Sequence, residues 1–127
     1  MEKIANSINW FEIPVLNFDR AKEFYSRIYN FEMTESNLDA IRMGFLPYDT
    51  DSQGVGGAII QGQGAIPSAL GVKIYLNGGK DLMNVLNRVI AAGGEIIATK
   101  TKISDEMGYY AVFEDTEGNH IGLHSQE

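Results

Sequence analysis

The chain contains an internal repeat, which limits the folds that it can adopt. The segments 10–28 and 71–89 carry similar patterns of apolar residues at a constant offset of 61 positions. In each segment, residues that alternate as in a strand precede apolar residues at helical spacing. A repeat of about half of the 127-residue chain indicates two similar units that fold against one another.

The first unit is predicted to begin with a strand and a helix. In the stretch "INWFEIPVL", Phe11, Ile13 and Val15 alternate with the remaining residues, as in a strand with one apolar face. A helix follows with Asn17 or Asp19 as its N-cap, and Asn30 is its predicted end. The apolar stripe of this helix comprises Ala21, Phe24, Tyr25 and Ile28.

The second unit repeats this order. Val72, Ile74 and Leu76 alternate before a predicted helix that Gly93 closes in the left-handed conformation. The apolar residues of this helix are Leu82, Val85, Leu86, Val89 and Ile90. Three extended segments are predicted after each helix, at 31–35, 39–46 and 55–61, and again at 95–101, 108–114 and 120–125. The two repeats, at about 1–62 and 68–127, are expected to form one domain, because the loop between them is short.

The pattern predicts an α+β fold of tandem βαβββ modules. Their curved mixed sheets carry helices on the outer face and a ligand cleft on the inner face. Each helix covers the apolar face of a sheet, so the alternate residues line the cleft. If "DTEG" is a hairpin turn, Phe113 lies opposite His120 and Tyr109 lies opposite His124. The predicted ligand-binding residues are Trp10, Glu12, Lys73, Tyr75, Tyr109, Phe113, His120 and His124.

Three stretches of the sequence, "FEIPVLNFDRAKEFYSRIYNFE", "GGAII" and "GYYAVFEDTEGNHIGL", resemble the vicinal oxygen chelate superfamily. This superfamily includes glyoxalase I, extradiol dioxygenases and the bleomycin-resistance proteins. The resemblance covers nearly the whole chain. It implies a small-molecule ligand and a homodimer in which modules of two chains build each cleft.

The resemblance also implies where a metal would bind. Metal-dependent members take ligands from the first and last strands of each repeat, and three of those positions hold Trp10, Gly71 and Gly122 here. The fourth lies between Val55 and Ile60, where no residue can coordinate a metal. His120 and His124 would lie about 13 Å apart on a strand, at ~3.3 Å per residue, which is too far to share an ion. We therefore expect no metal and no other cofactor, although Glu12 with His124 remains a two-ligand alternative.

These observations predict binding of a small, aromatic organic molecule in a metal-free cleft, with Trp10 stacking on the ligand. The alternative is a lyase, isomerase or dioxygenase-type enzyme that uses a divalent metal, or Glu12 and His124 as catalytic acid and base. A third reading is a regulatory protein whose aromatic surface is an interface. For Glu12, an ion pair with Lys73 is favoured over a free catalytic carboxylate. For His120 and His124, the alternative to a role in the site is that each side chain is simply solvated.

Charge and composition exclude several other classes. The net charge of -7 disfavours nucleic acids and anionic membranes as partners. No apolar run approaches the ~20 residues that cross a bilayer, and no signal peptide is recognised, so a cytoplasmic location is expected. The absence of cysteine excludes disulfides and thiol catalysis.

Overall fold

The computed structural model describes residues 2–127, in which the same order of elements occurs twice. Module 1 contains β1 (Trp10–Pro14), α1 (Phe18–Tyr29), β2 (Glu35–Leu38), β3 (Ile41–Phe45) and β4 (Gly56–Gln61). Module 2 contains β5 (Tyr75–Asn77), α2 (Met83–Leu86), α3 (Val89–Ala92), β6 (Glu95–Ser104), β7 (Gly108–Glu114) and β8 (His120–Ser125). A short 3-10 helix (Thr50–Ser52) lies in the loop between β3 and β4.

Each module forms one four-stranded mixed sheet. The strand orders are β1-β4-β3-β2 and β5-β8-β7-β6. The first and last strands of each module pair in parallel, whereas the remaining neighbours are antiparallel. The predicted α+β fold of two βαβββ modules is therefore confirmed.

The first helix forms as the sequence predicts. The Asn17 side chain caps α1 by accepting a hydrogen bond from the backbone N–H of Arg20, and Asn30 ends the helix in the left-handed conformation with φ of 51°. The buried residues of α1 are Phe18, Ala21, Phe24, Tyr25 and Ile28.

Among residues 2–127, no helix is long and apolar enough to cross a membrane.

The prediction of one continuous second helix is wrong. The chain forms the two four-residue helices α2 and α3, which are separated at Asn87 and Arg88. Arg88 lies at this break and donates a hydrogen bond from Nη1 to the carbonyl of Ile28, at the end of α1. Gly93 closes α3 at φ of 110°, as predicted, but Ile90 is 67% exposed and does not join the apolar stripe.

Helices of both modules share one core. Phe24 and Tyr25 of α1 contact Phe113 of β7, with ring centroids 5.7 Å and 6.4 Å apart. Buried residues from both sheets belong to the same apolar cluster. We call the side of each sheet that contacts the helices its helix face, and the opposite side its cleft face.

Strand β5 is shorter than predicted. It begins at Tyr75, and Val72, which was predicted to face the helices, is 96% exposed. In module 1, Trp10 and Phe11 pair with Gly56 and Gly57 of β4. The corresponding strand of module 2, β8, begins at residue 120 directly after a tight turn, so residues 71 and 72 have no neighbouring strand to pair with.

The closing hairpin of module 2 differs from the prediction by one residue. His124 lies opposite Tyr110 and His120 lies opposite Glu114. Asp115 N–H donates to the carbonyl of Asn119, so the turn is longer than "DTEG" and shifts the pairing. A shift of one residue moves side chains to the other face of a sheet.

Tyr109 and Phe113 are therefore wrongly placed by the prediction. Phe113 is fully buried among the helices. Tyr109 packs against the core beneath Lys100, whose ammonium group lies 4.5 Å from the ring centroid. Neither residue lines the cleft face.

Candidate ligand-binding site

The cleft face of module 1 presents aromatic side chains to solvent. Trp10 of β1 is 39% exposed and makes an edge contact with Phe45 of β3, with ring centroids 6.1 Å apart. Gly44, between Met43 and Phe45, faces Phe18 and Met33 on the helix face, so Phe45 lies on the opposite side. Trp10 and Phe45 thus form an apolar surface on which a flat molecule can stack.

A glycine makes room for a third ring on this face. The ring of Tyr48 lies over Gly56, where an added Cβ would come within 2.5 Å of the Tyr48 Cε1 atom. Tyr48 is 45% exposed and continues the aromatic surface beside Trp10, the partner of Gly56 in the sheet. Only glycine at position 56 allows this arrangement without displacement of the ring.

The cleft face of module 2 repeats this device. Tyr75 lies over Gly122, where an added Cβ would come within 2.3 Å of the Tyr75 Cδ2 atom. Beside it is a pocket of about 340 Å³ lined by Tyr75, Ile103, Tyr110 and His124. Of the predicted ligand-binding residues, the structure brings Tyr75 and His124 together in this pocket.

The two histidines have different environments. His124 places its Nε2 atom 2.6 Å from the carbonyl oxygen of Met107, in the turn between β6 and β7. His120 places its Nε2 atom 3.1 Å from the Glu114 carboxylate, its cross-strand partner. Both side chains are partly buried and hydrogen-bonded. This differs from the alternative prediction, in which both histidines are simply solvated.

Glu12 and Lys73 do not form the predicted ion pair among the residues that the structure describes. Glu12 is exposed on the cleft face of β1, two residues after Trp10 in the sequence. Lys73 lies in the unpaired segment before β5 and lines a groove of about 630 Å³ together with Phe11, Tyr29 and Tyr75. Both charged groups therefore remain accessible to a ligand or to a partner.

A buried polar network holds β8 in place. Asp115 is 3% exposed and accepts hydrogen bonds from the Tyr25 hydroxyl at 2.7 Å and from the Asn119 side-chain amide at 3.0 Å. It also accepts the backbone N–H groups of Glu117 and Asn119. Burial raises the pKa of Asp115, while these hydrogen bonds oppose the shift. The network fixes the turn from which His120 and His124 follow.

Glu117, in the same turn, connects the two modules. Its carboxylate accepts the backbone N–H groups of Leu16 and Asn17 and pairs with Arg20 at 2.7 Å. Burial raises the pKa of Glu117, but the hydrogen bonds from Arg20, Asn17 and Thr116 together lower it by more than burial raises it. The net pKa therefore lies below the usual value. The turn of module 2 thereby holds the start of α1 in module 1.

The residues present do not fit the metal site that the family resemblance implies. Trp10, Gly71 and Gly122 offer no ligand atoms from their side chains, and the Tyr75 ring occupies the space above Gly122. Within residues 2–127 there is no group of three or more His, Asp or Glu side chains placed to hold an ion. Metal sites usually need at least three protein ligands.

Several cleft-face residues escaped prediction. Tyr110 was missed because the hairpin register was placed one residue away, and the hydrogen bonding of Asp115 and Asn119 that sets the register is a tertiary feature. Alternation within "IRMGF" was a usable signal for Phe45. Tyr48 and Ile103 reach the cleft faces from a loop and from a strand with irregular pairing, where no simple period applies.

Residues 7–123 match the family model described as "Glyoxalase/Bleomycin resistance protein/Dioxygenase superfamily". The chain belongs to this superfamily. The match spans both modules, from just before β1 to the middle of β8. No curated protein sequence matches the chain.

Several solved structures share the fold of this chain. TnmS3, an antibiotic binding protein from Streptomyces sp. CB03234, is 22% identical, with a TM-score of 0.70 over 98% of this chain and 100% of its own. UcmS2 is 21% identical, with a TM-score of 0.66 over 98% of this chain and 100% of its own. Glyoxalase I from Zea mays is 15% identical, with a TM-score of 0.66 over 92% of this chain and 43% of its own. At these identities the similarity establishes the fold alone.

Proposed function

We propose that this protein binds a small, planar aromatic molecule on the cleft faces of its sheets. The observation that carries the proposal is the pair of aromatic rings laid over glycines, Tyr48 over Gly56 and Tyr75 over Gly122. Tyr48 and Tyr75 are 45% and 53% exposed and do not belong to the core. Exposed aromatic surface next to a concave pocket favours ligand binding.

Binding is proposed to be independent of metal. The positions that carry metal ligands in metal-dependent members hold a tryptophan and glycines, and the space above Gly122 is filled by Tyr75. That TnmS3 is an antibiotic binding protein supports a binding function for a chain with this fold. A planar organic ligand fits an apolar site better than a substrate held by an ion.

We further propose that the functional unit is a homodimer. The pocket beside His124 is lined by module 2 alone, and Trp10 lies on the cleft face of the other sheet. Both cleft faces expose apolar side chains, as do Leu70 and Val72, at 94% and 96%, in the segment between the modules. A second copy that sets module 1 against module 2 would cover this surface and enclose the ligand.

The binding proposal is tested by titrating the protein with fused-ring aromatics such as naphthols, anthraquinones and flavones, by calorimetry and by quenching of Trp10 fluorescence. We expect at least one compound to bind. Replacement of Trp10 by alanine should weaken that binding about tenfold, because an aromatic pair contributes roughly 0.5–1.5 kcal/mol. Trp10→Phe should retain most of the affinity. Ile90→Ala is the matched control, since Ile90 is 67% exposed on a helix.

Metal independence and assembly need separate measurements. The affinity should be unchanged after treatment with a chelator and after addition of Mn, Fe, Ni or Zn. Elemental mass spectrometry that finds about one metal per chain in the purified protein would contradict the metal-free proposal. Analytical ultracentrifugation should find a dimer that Leu70→Ser combined with Val72→Ser weakens, and a monomer at all concentrations would contradict the dimer.

A further inference from the structure

We infer that His124 selects ligands that carry a hydrogen-bond donor on the aromatic ring, such as a phenol, and discriminates against their ethers. This inference rests on the proposed ligand-binding function and names the chemistry of its ligand. The structural basis is that a hydrogen bond to the protein fixes the tautomer of the His124 imidazole.

His124 has a backbone carbonyl group as its hydrogen-bond partner. A carbonyl oxygen can only accept a hydrogen bond, and the Met107 carbonyl lies 2.6 Å from Nε2 of His124. The Nε2 atom therefore carries a proton. In the neutral imidazole, Nδ1 is then unprotonated and can only accept a hydrogen bond.

The turn that supplies this carbonyl is itself held in place. The backbone N–H of Met107 donates to the Ser104 hydroxyl at 2.9 Å, which closes the turn between β6 and β7. Gly108 follows with φ of 80°, and an added Cβ there would come within 2.3 Å of the Ser125 carbonyl oxygen. Only glycine allows the turn to approach β8 so closely, and this approach places the Met107 carbonyl beside His124.

The other ring nitrogen of His124 is Nδ1. Nδ1 of His124 has no hydrogen-bond partner among the described residues, and these residues include no buried side-chain nitrogen or oxygen atom that lacks a partner. Nδ1 is thus accessible to solvent. His124 and Tyr75 both line two cavities, of about 340 Å³ and about 350 Å³.

The surroundings of His124 are mainly aromatic and aliphatic. The smaller cavity is lined by the rings of Tyr75 and Tyr110 and by Ile103, with no carboxylate. A flat ring can contact these side chains while its substituent reaches the imidazole. The substituent that Nδ1 can bind is an O–H or N–H donor, and an ether oxygen at the same place would face the lone pair of the nitrogen.

The test compares 2-naphthol with 2-methoxynaphthalene, in which a methyl group replaces the hydroxyl hydrogen and removes the donor. Proton–nitrogen NMR correlation through the imidazole ring reports which nitrogen of each histidine is protonated, and the chain has two histidines to assign. We expect protonated Nε2 and unprotonated Nδ1 in His124. We also expect 2-naphthol to shift the Nδ1 resonance and to bind about tenfold more tightly than the ether.

Two substitutions identify the selecting group. His124→Phe keeps a ring in the cavity but removes the acceptor, so both compounds should bind with similar affinity. Tyr110→Phe removes a hydroxyl from the same cavity and should leave the ratio of the two affinities unchanged. Loss of the ratio in Tyr110→Phe, with its retention in His124→Phe, would assign selection to the tyrosine and overturn the inference.

The remaining outcomes separate this inference from the proposed function. Equal binding of the two compounds to the unaltered protein, or a protonated Nδ1 in its neutral imidazole, overturns the inference and leaves aromatic binding intact. No response of any cleft-face residue to either compound or to the wider aromatic set overturns the proposed function, and the inference with it.

Discussion

The two modules share one sequence pattern, but their first strands differ in length. In module 1, β1 pairs with β4 over five residues, because the long loop 46–55 lets β4 begin as early as Gly56. In module 2, the turn 115–119 is short and β5 pairs with β8 over three residues. The repeated sequence pattern therefore determines which residues lie on the helix face. The length of the connection before the last strand determines how many residues of the first strand are paired and so how far the cleft face extends.

The turn 115–119 should show the largest effect when it is broken. Asp115→Ala leaves the Tyr25 hydroxyl, the Asn119 amide and two backbone N–H groups without their partner. We expect the free energy of unfolding to fall by at least about 3 kcal/mol, measured by urea denaturation.

Asp49 in the corresponding loop of module 1 is the matched control. Its side chain accepts one N–H, that of Asp51, at an exposed position, so Asp49→Ala should cost only about 0.5–1 kcal/mol. Similar losses in the two variants would show that the two connections contribute equally to stability.

The first strands provide the next test. Phe11 and Val72 occupy equivalent positions of the repeat, but Phe11 packs against Gly57 and the core, whereas Val72 is 96% exposed. Phe11→Ala should cost about 2–3 kcal/mol and Val72→Ala less than about 0.5 kcal/mol. The measurement is thermal and urea unfolding at low protein concentration, so that association does not contribute. A large loss in Val72→Ala would mean that residues 71–74 pack on the chain in solution.

The glycines beneath the aromatic rings test whether both cleft faces use the same device. Gly56→Ala and Gly122→Ala should each cost about 1–2 kcal/mol, because the added methyl groups displace Tyr48 and Tyr75. Aromatic ligand binding should weaken in both variants. A loss of binding in Gly122→Ala alone, by titration calorimetry, would assign the ligand to module 2 only.

The smallest effect is expected in the acid range. The pKa of Glu117 in the folded protein lies below its usual value of 4.5, so its ionised form stabilises the fold above that pH, and the contribution is lost as pH falls through the lowered pKa. The raised pKa of Asp115 acts in the opposite direction. It adds a pH-dependent stability at low pH, and that added stability is lost as pH rises through the raised pKa. Stability measured from pH 7 to pH 3 should therefore fall less steeply in Glu117→Gln than in the unaltered protein. An unchanged slope would contradict a role for this carboxylate.

The sequence predicted the helix faces better than the cleft faces, for a physical reason. Ile13, Val15 and Leu76 were placed correctly because burial imposes a period on apolar residues. Phe113 and Tyr109 were misplaced because strand register depends on a turn whose hydrogen bonds come from Asp115 and Asn119. The break between α2 and α3 was missed for a similar reason, since Arg88 bonds to the end of α1 in the other module.

The site was predicted in part. Tyr75 and His124 were assigned to the cleft from alternation alone, and they line the same pocket. Tyr110 and Ile103 also line this pocket, through a shifted hairpin register and irregular strand pairing, and Tyr48 reaches the cleft face of module 1 from a loop. Local patterns do not encode these features. The hydrogen bond between His124 and Met107 joins residues 17 positions apart and depends on the close approach at Gly108.

The contacts of Glu117 with Leu16, Asn17 and Arg20 have a consequence for attempts to divide the chain. A fragment containing only module 2 would display an acidic turn with no amide or guanidinium groups to bind it. A fragment containing only module 1 would begin its helix without that carboxylate. Cutting the polypeptide between residues 62 and 68 should therefore give two halves that fold poorly alone and recover structure when mixed, which makes this junction suitable for a split reporter.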